Sequence, residues 1–204
     1  MHFIYDNLVA LIVGSVITLA IATMTVQNLE PKIQSHRYYN MRVHMNTLVE
    51  VMRKDLANIG SGASPGEQMV YAPVTAGDSL TQSFQFRSAQ LVEGSVVKEN
   101  VRYELKEVAG GCETTEGDTV PCYELERQLC DELFASCDPA GGSVPSITEF
   151  YVSLLDGEGD ETNSPVEARG VKVRLVAVSP DGGANVVPQL RWESSFRPPN
   201  LARQ

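Results

Sequence analysis

Cysteine is the first residue type here whose spacing carries chemistry. The chain has four, Cys112, Cys122, Cys130 and Cys137, all in one region. Neither CETTEGDTVPC nor CDELFASC has the C-x-x-C spacing of a zinc knuckle or a thioredoxin-like site. Each brackets a short, polar, loop-like stretch, where a crosslink restricts an excursion that packs poorly by itself. Of the three possible connectivities, sequential pairing is expected, Cys112 with Cys122 and Cys130 with Cys137; free, buried thiols are the alternative. Disulfides persist in oxidising compartments, so the pairing would place this region outside a reducing cytoplasm.

The acidic run DGEGDETNSPVE is the second candidate. Asp156, Glu158, Asp160 and Glu167 fall at positions 1, 3, 5 and 12 of a calcium-loop count. Position 6 is Glu161 where the turn requires glycine, and Pro165 intrudes, so an EF-hand is excluded. Asp156, Glu158 and Asp160 remain as a weak calcium candidate beside the plainer reading, a solvated hairpin loop. The three histidines, His2, His36 and His44, have no carboxylate or cysteine partner at catalytic or metal-ligand spacing. No nucleophile motif, phosphate loop or dinucleotide fingerprint occurs. The expectation is therefore a protein that is not an enzyme and carries no cofactor.

These candidates sit in a chain with an uneven charge. Residues 1–60 have a net charge of +1 and residues 61–204 a net charge of −11. An acidic body repels nucleic-acid phosphates, so no nucleic-acid partner is expected. A solvated acidic surface with no specific partner is the plainer and preferred reading of the charge.

The N-terminal stretch is apolar. From Leu8 to Val26 there are nineteen residues without a charge, about 28 Å of helix at about 1.5 Å per residue, which matches the hydrocarbon thickness of a bilayer. Ser15, Thr18, Thr23 and Thr25 lie inside it, and each hydroxyl can return to a carbonyl one turn back. A cleaved signal peptide needs a basic n-region and a small-residue cleavage site; neither MHFIYDN nor ATMTVQNLEPK supplies one, so a retained helix is expected. Asp6 stands alone as a carboxylate at its mouth.

After Pro31 the pattern becomes amphipathic. Met41, Met45, Leu48, Met52, Leu56 and Ile59 recur at the spacing of one helix face. Arg42, Glu50, Arg53, Lys54 and Asp55 are assigned to the remaining, polar positions. Gly60, Ser61 and Gly62 signal the helix end. One helix over about 3–59 is expected, bent near Pro31, with its Met-rich stripe serving as core.

Beyond Gly62, LTQSFQFRS, NVRYELKE, CYELERQL, ITEFYVSLL and GVKVRLVAV alternate apolar with polar residues and read as strands, with GG, DGEGDETNSP and SPDGG as turns. Such alternation predicts an antiparallel sheet with one wet face and the amphipathic half-helix over the other. The fold class expected is α+β: a long N-terminal, membrane-length helix packed by its second half on an antiparallel β-sheet domain. Residues 1–30 form the hydrophobic segment, 31–62 the amphipathic continuation, and 63–204 a β-rich domain with two short disulfide loops.

This layout resembles that of type IV pilins and the pseudopilins of type II secretion. VEVMRKDLANIGSG resembles the R-D-L-x-x-A-G helix end of minor pilins of the J-pseudopilin and W-minor-pilin kind. NVRYELKE and CYELERQL resemble their paired strands, v-x-Y-x-l and then L-x-R. ITEFYVSLLDG, GVKVRLVAVSPDG and RWESSFRPPNLARQ resemble their closing strands and tail. The chain departs from the family in having Asp6 where a glutamate is usual, no Gly-Phe junction before it, and Pro31 further from the acid than the usual kink.

The resemblance implies a structural subunit of an extracellular or envelope-spanning filament, assembling through its N-terminal helix. Its partners would be copies of itself and other pilin-like subunits, with the membrane holding it before assembly. It implies that Asp6 pairs with the N-terminal amine of a neighbouring subunit, which offsets the cost of a carboxylate in lipid; Asp6 in the headgroup region or at a helix start is the plainer reading. Lys32, Arg37 and Arg42 would place the body in the cytoplasm by the positive-inside rule. The cysteines and the resemblance outweigh so few charges, and the body is expected outside the cytoplasm, in the bacterial cell envelope. The alternative is a signal-anchored monomeric ectodomain acting as an adhesin or envelope scaffold.

Overall fold

A computed structural model describes residues 2–63, 67–75, 80–92, 95–113, 119–143, 146–178 and 189–201. One helix, α1 (His2–Ala57), is followed by β1 (Val74–Thr75), β2 (Thr81–Val92), β3 (Ser95–Glu107), β4 (Cys112–Glu113), β5 (Thr119–Val120), β6 (Tyr123–Cys130), β7 (Cys137–Gly142), β8 (Ile147–Leu155), β9 (Glu161–Thr162), β10 (Gly170–Val178) and β11 (Gln189–Phe196). The chain divides into two compact units, Met1–Asn40 and Met41–Gln204.

The first unit is helical. Ala10–Leu29 is long and apolar enough to cross a membrane, with a mean hydropathy of 1.9 and none of its surface buried within the chain. Its hydroxyls behave as the sequence predicts: Thr18 Oγ1 donates to the Gly14 carbonyl (2.8 Å), Thr25 Oγ1 to Ile21 (2.7 Å) and Ser15 Oγ to Ile12 (2.8 Å). Polar groups satisfied within their own helix are compatible with lipid. The helical backbone continues across Pro31.

In the second unit the C-terminal part of α1 covers one face of the sheet. Met41, Met45, Leu48, Met52 and Leu56 are buried with Ile59 just beyond the helix, and all join one core with Phe84, Phe86, Val101, Tyr103 and Leu125 from the strands. Each such side chain contributes on the order of 1.5–3 kcal/mol relative to exposure. The helix stops because Gly60 turns to a φ of 72° and donates its N–H to the Arg87 carbonyl at 2.8 Å. A side chain there would collide with Met69 as well as strain the backbone.

Among the described residues the main sheet is antiparallel and nine-stranded, in the order β1-β2-β3-β6-β8-β10-β11, with β7 pairing β6 and β9 pairing β8. The β4–β5 pair stands apart and is held by a disulfide. Register fixes the faces. Phe84 pairs with Tyr103, Tyr103 with Arg127, and Phe150 with Leu175 on the helix side. Arg87, Asn100, Arg102, Glu126, Tyr151 and Lys172 alternate with them and face the wet side. The expected α+β mix with an N-terminal apolar helix and a large antiparallel sheet is thus observed.

β6 divides its edge between two neighbours. β7 pairs it from Glu126 to Cys130, while β8 meets it only through Tyr123 and Ile147. Where β8 parts from β6, the buried Thr81 hydroxyl at the start of β2 accepts a hydrogen bond from the Val152 N–H at 2.9 Å.

Candidate functional site

Among the described residues the most deeply buried charged residue is Asp55, only 2% exposed, on α1. The assignment of Asp55 to the solvent face is corrected here. It lies three residues after Met52 and one before Leu56, so the helix period carries it onto the buried stripe. The sheet provides what a buried carboxylate requires. Tyr103 Oη donates to Asp55 Oδ2 at 2.7 Å, and Arg127 Nε donates to the same oxygen at 2.6 Å. Arg127 Nη2 donates to Oδ1 at 3.1 Å, completing a two-pronged pair. Glu99 on β3 lies 3.5 Å from Arg127 Nη2.

Electrostatics follow from burial and charge. Burial first, then the Asp55 carboxylate, pushes the Tyr103 phenol well above its ordinary value, so it stays a donor. Burial works against the Arg127 cation. The hydrogen bonds and charge of Asp55 outweigh it, with lesser help from Tyr103 and Glu99, and hold the guanidinium above its ordinary value. The set is a closed tether between helix and sheet, with no nucleophile poised beside a base.

Beside this tether, between α1 and β7, lies a cleft of about 300 Å³ whose walls include His44, Leu48, Val51, Arg127, Ala140 and Gly142.

The other expected residues are dispersed. Cys112 pairs with Cys122 and Cys130 with Cys137, the sequential connectivity. Cys112, Cys122 and Val178 form a small apolar cluster of their own. Asp156 Oδ1 accepts from the backbone N–H groups of Glu158 (2.9 Å), Gly159 (2.8 Å) and Asp160 (2.9 Å). The N–H groups of Asp160 and Gly159, in that order, hold the Asp156 carboxyl below its ordinary value. That oxygen therefore organises its own loop. Among the described residues no group of three or more His, Cys, Asp or Glu is placed to hold a metal ion. His36 and His44 are both exposed. Asp6 lies on α1, and its side chain falls outside the described residues.

The tether is the set that residue-by-residue reading missed. Its signal was positional: an acid on an apolar stripe, with a tyrosine and an arginine on the inward-facing register of two adjacent strands. Comparison with family models, curated proteins and solved structures yields no significant match to this chain.

Proposed function

We propose that this chain is a structural, pilin-like subunit of an extracellular or envelope-spanning filament. The supporting observation is the convergence at Asp55, Tyr103 and Arg127. Each belongs to a different one of the segments that carry the resemblance, VEVMRKDLANIGSG, NVRYELKE and CYELERQL, and the three side chains meet at 2.6–3.1 Å. Motifs that are weak singly gain weight when they form one buried contact. The contact fixes the C-terminal part of α1 against the sheet.

In this reading Ala10–Leu29 lies in a membrane of the bacterial cell envelope until assembly and then packs with the helices of other subunits, and the disulfide-bonded region is extracytoplasmic. Asp6 pairs with the N-terminal amine of a neighbour. A second reading, a signal-anchored monomeric adhesin or envelope scaffold, is favoured by the same apolar exposure of Ala10–Leu29, since an anchor needs only hydrophobicity.

Negative-stain electron microscopy of material sheared from cells, with intact-mass analysis of the same fraction, separates the two. Thin filaments containing this chain support the subunit reading, and their loss in Asp6→Ala with membrane retention intact supports the ion pair. Dispersed monomer confined to the membrane pellet overturns the subunit reading in favour of the anchored ectodomain.

A further inference from the structure

The two disulfides differ in what surrounds them. Cys112 and Cys122 are 2% and 0% exposed and cluster with Val178. Cys130 and Cys137 are both only partly buried and stand directly opposite each other at the end of the β6–β7 ladder. They close a loop of sequence DELFAS. A disulfide opens when a thiolate attacks one of its sulfurs along the S–S axis, so access decides which bridge reacts and at which end.

Register sets that axis. The two sulfurs belong to neighbouring strands, so a line through them runs across the sheet, inward over β3 or outward past β7. Inward, Asn100 is the β3 partner of Cys130 and shares its face of the sheet. Its amide donates to the Asp131 carbonyl at 2.7 Å. The chain that follows Cys130 is fastened as well. Arg87 holds the Glu132 carbonyl (3.2 Å) and Arg102 the Phe134 carbonyl (2.9 Å), while Asp131 Oδ1 accepts from the N–H groups of Leu133 (3.2 Å) and Ala135 (2.8 Å). Outward, β7 pairs with β6 alone, and no described strand lies on its other side. Cys137 is the open end of the bridge.

β7 is also the strand with least to hold it. Asp138 to Gly142 are all exposed. Pro139 has no N–H to give a ladder, and Gly141 and Gly142 have no side chain to pack. Beyond them Ser143 returns to β6, its N–H donating to the Leu125 carbonyl at 2.8 Å and its hydroxyl accepting from the Leu125 N–H at 2.9 Å. Between that anchor and the bridge, Gly141 lies opposite Arg127, whose guanidinium is 11% exposed and holds Asp55. β7 thus covers one flank of the tether.

We propose that Cys130–Cys137 is a thiol–disulfide exchange site for an external dithiol, and that its opening loosens β7 from β6 beside the Asp55–Arg127 pair. A thiolate of the dithiol bonds to Cys137 Sγ as the S–S bond breaks, and the electron pair leaves on Cys130 Sγ, which takes a proton from solvent. The second thiol, losing its proton, bonds to the first. The mixed disulfide breaks, and Cys137 leaves as a thiolate that is protonated in turn. The chain gains two electrons and two protons, and the dithiol becomes a disulfide. Cys112–Cys122 persists. The inference is independent of whether the chain is a filament subunit or an anchored ectodomain.

The test uses the full chain in detergent with dithiothreitol as the dithiol, trapping by N-ethylmaleimide at timed intervals, and peptide mass spectrometry. Cys130 and Cys137 should be labelled at least tenfold faster than Cys112 and Cys122, and the difference should vanish in concentrated urea. With the monothiol 2-mercaptoethanol, the trapped adduct should lie on Cys137 and the maleimide on Cys130. Amide exchange across residues 137–142 should rise at least tenfold in the reduced chain while β10 stays unchanged. Equal rates at the two bridges, the same preference in urea, adducts mainly on Cys130, or unchanged exchange in β7 would each overturn the proposal.

Discussion

Asp55 and Arg127, 72 positions apart in sequence, are joined by two hydrogen bonds of 2.6 and 3.1 Å, with only 2% of the carboxylate side chain and 11% of the guanidinium exposed. An ion pair withdrawn from water in this way is held together by what either charge would suffer alone. Desolvating two ions costs several kcal/mol, and their attraction with good geometry roughly offsets it. The pair therefore contributes less to net stability than to specifying one docking of α1 on the sheet.

Breaking one side should be severe. Asp55→Ala leaves Arg127 buried beside only Glu99, and a loss of about 3–5 kcal/mol is expected. The double variant Asp55→Leu with Arg127→Met should be more stable than either single variant. Urea unfolding of the full chain in detergent, followed by the fluorescence of Trp192, measures all three. Additive losses would mean that the two residues do not act as a pair.

Tyr103→Phe removes a hydrogen bond to a charged group and should cost about 1.5–3 kcal/mol. It should also change the alkaline limb of stability. The folded chain keeps the Tyr103 proton above the ordinary value because of burial and Asp55, whereas an unfolded tyrosine releases it near pH ~10. The stabilisation from this group is complete below that pH and is lost as pH rises beyond it. Unfolding midpoints from pH 9 upward should fall less steeply in Tyr103→Phe than in the parent. Equal slopes would remove Tyr103 as the sensitive group.

Replacing Cys130 and Cys137 together by serine should lower stability by about 2–3 kcal/mol, the loop-closure contribution of a short crosslink. The same change should release the DELFAS loop. Amide exchange at Leu133 and Ala135, whose N–H groups are held by Asp131, should rise well beyond any increase in the β10 core. Unchanged protection there would show that the sheet contacts alone order the loop.

The loop at Asp156 should be sensitive to acid in a defined direction. Its carboxyl is held below the ordinary value by the N–H groups of Asp160, Gly159 and Glu158. The contribution is present above the unfolded value of about 3.9 and is lost as pH falls through the lower folded value. Carbon-13 titration should place the Asp156 midpoint below that of a free aspartate, and Asp156→Asn should abolish the coupled amide shifts at Gly159 and Asp160. Calcium titration of the parent should leave those amides unmoved. Saturable shifts would restore the metal reading.

Much of the layout was legible because period and burial coincide. ITEFYVSLL and GVKVRLVAV are β8 and β10 residue for residue, and the Met-rich stripe is the buried face of α1. The Asp55 assignment failed because residue type was weighed above position: a charged side chain was sent to solvent although the helix period placed it inside. β7 was missed for another reason. Cys-Asp-Pro-Ala-Gly-Gly has turn chemistry and almost no strand propensity, and it is extended only because β6 pairs with it.

The divided edge of β6 has a consequence for how the chain is built. Because β8 touches β6 only through Tyr123 and Ile147, the sheet falls into two meanders, one complete at Gly142 and the other running from Ile147 to Phe196. Within each, strands that are neighbours in the sheet are also close in sequence, which keeps loop-closure costs low. Both disulfides lie in the first meander. A chain delivered N-terminus first can therefore pair β2, β3, β6 and β7, dock the helix through Asp55 and close both bridges before β8 exists. Thr81 then waits at the open edge for Val152, and the second meander joins a half that is already covalently locked.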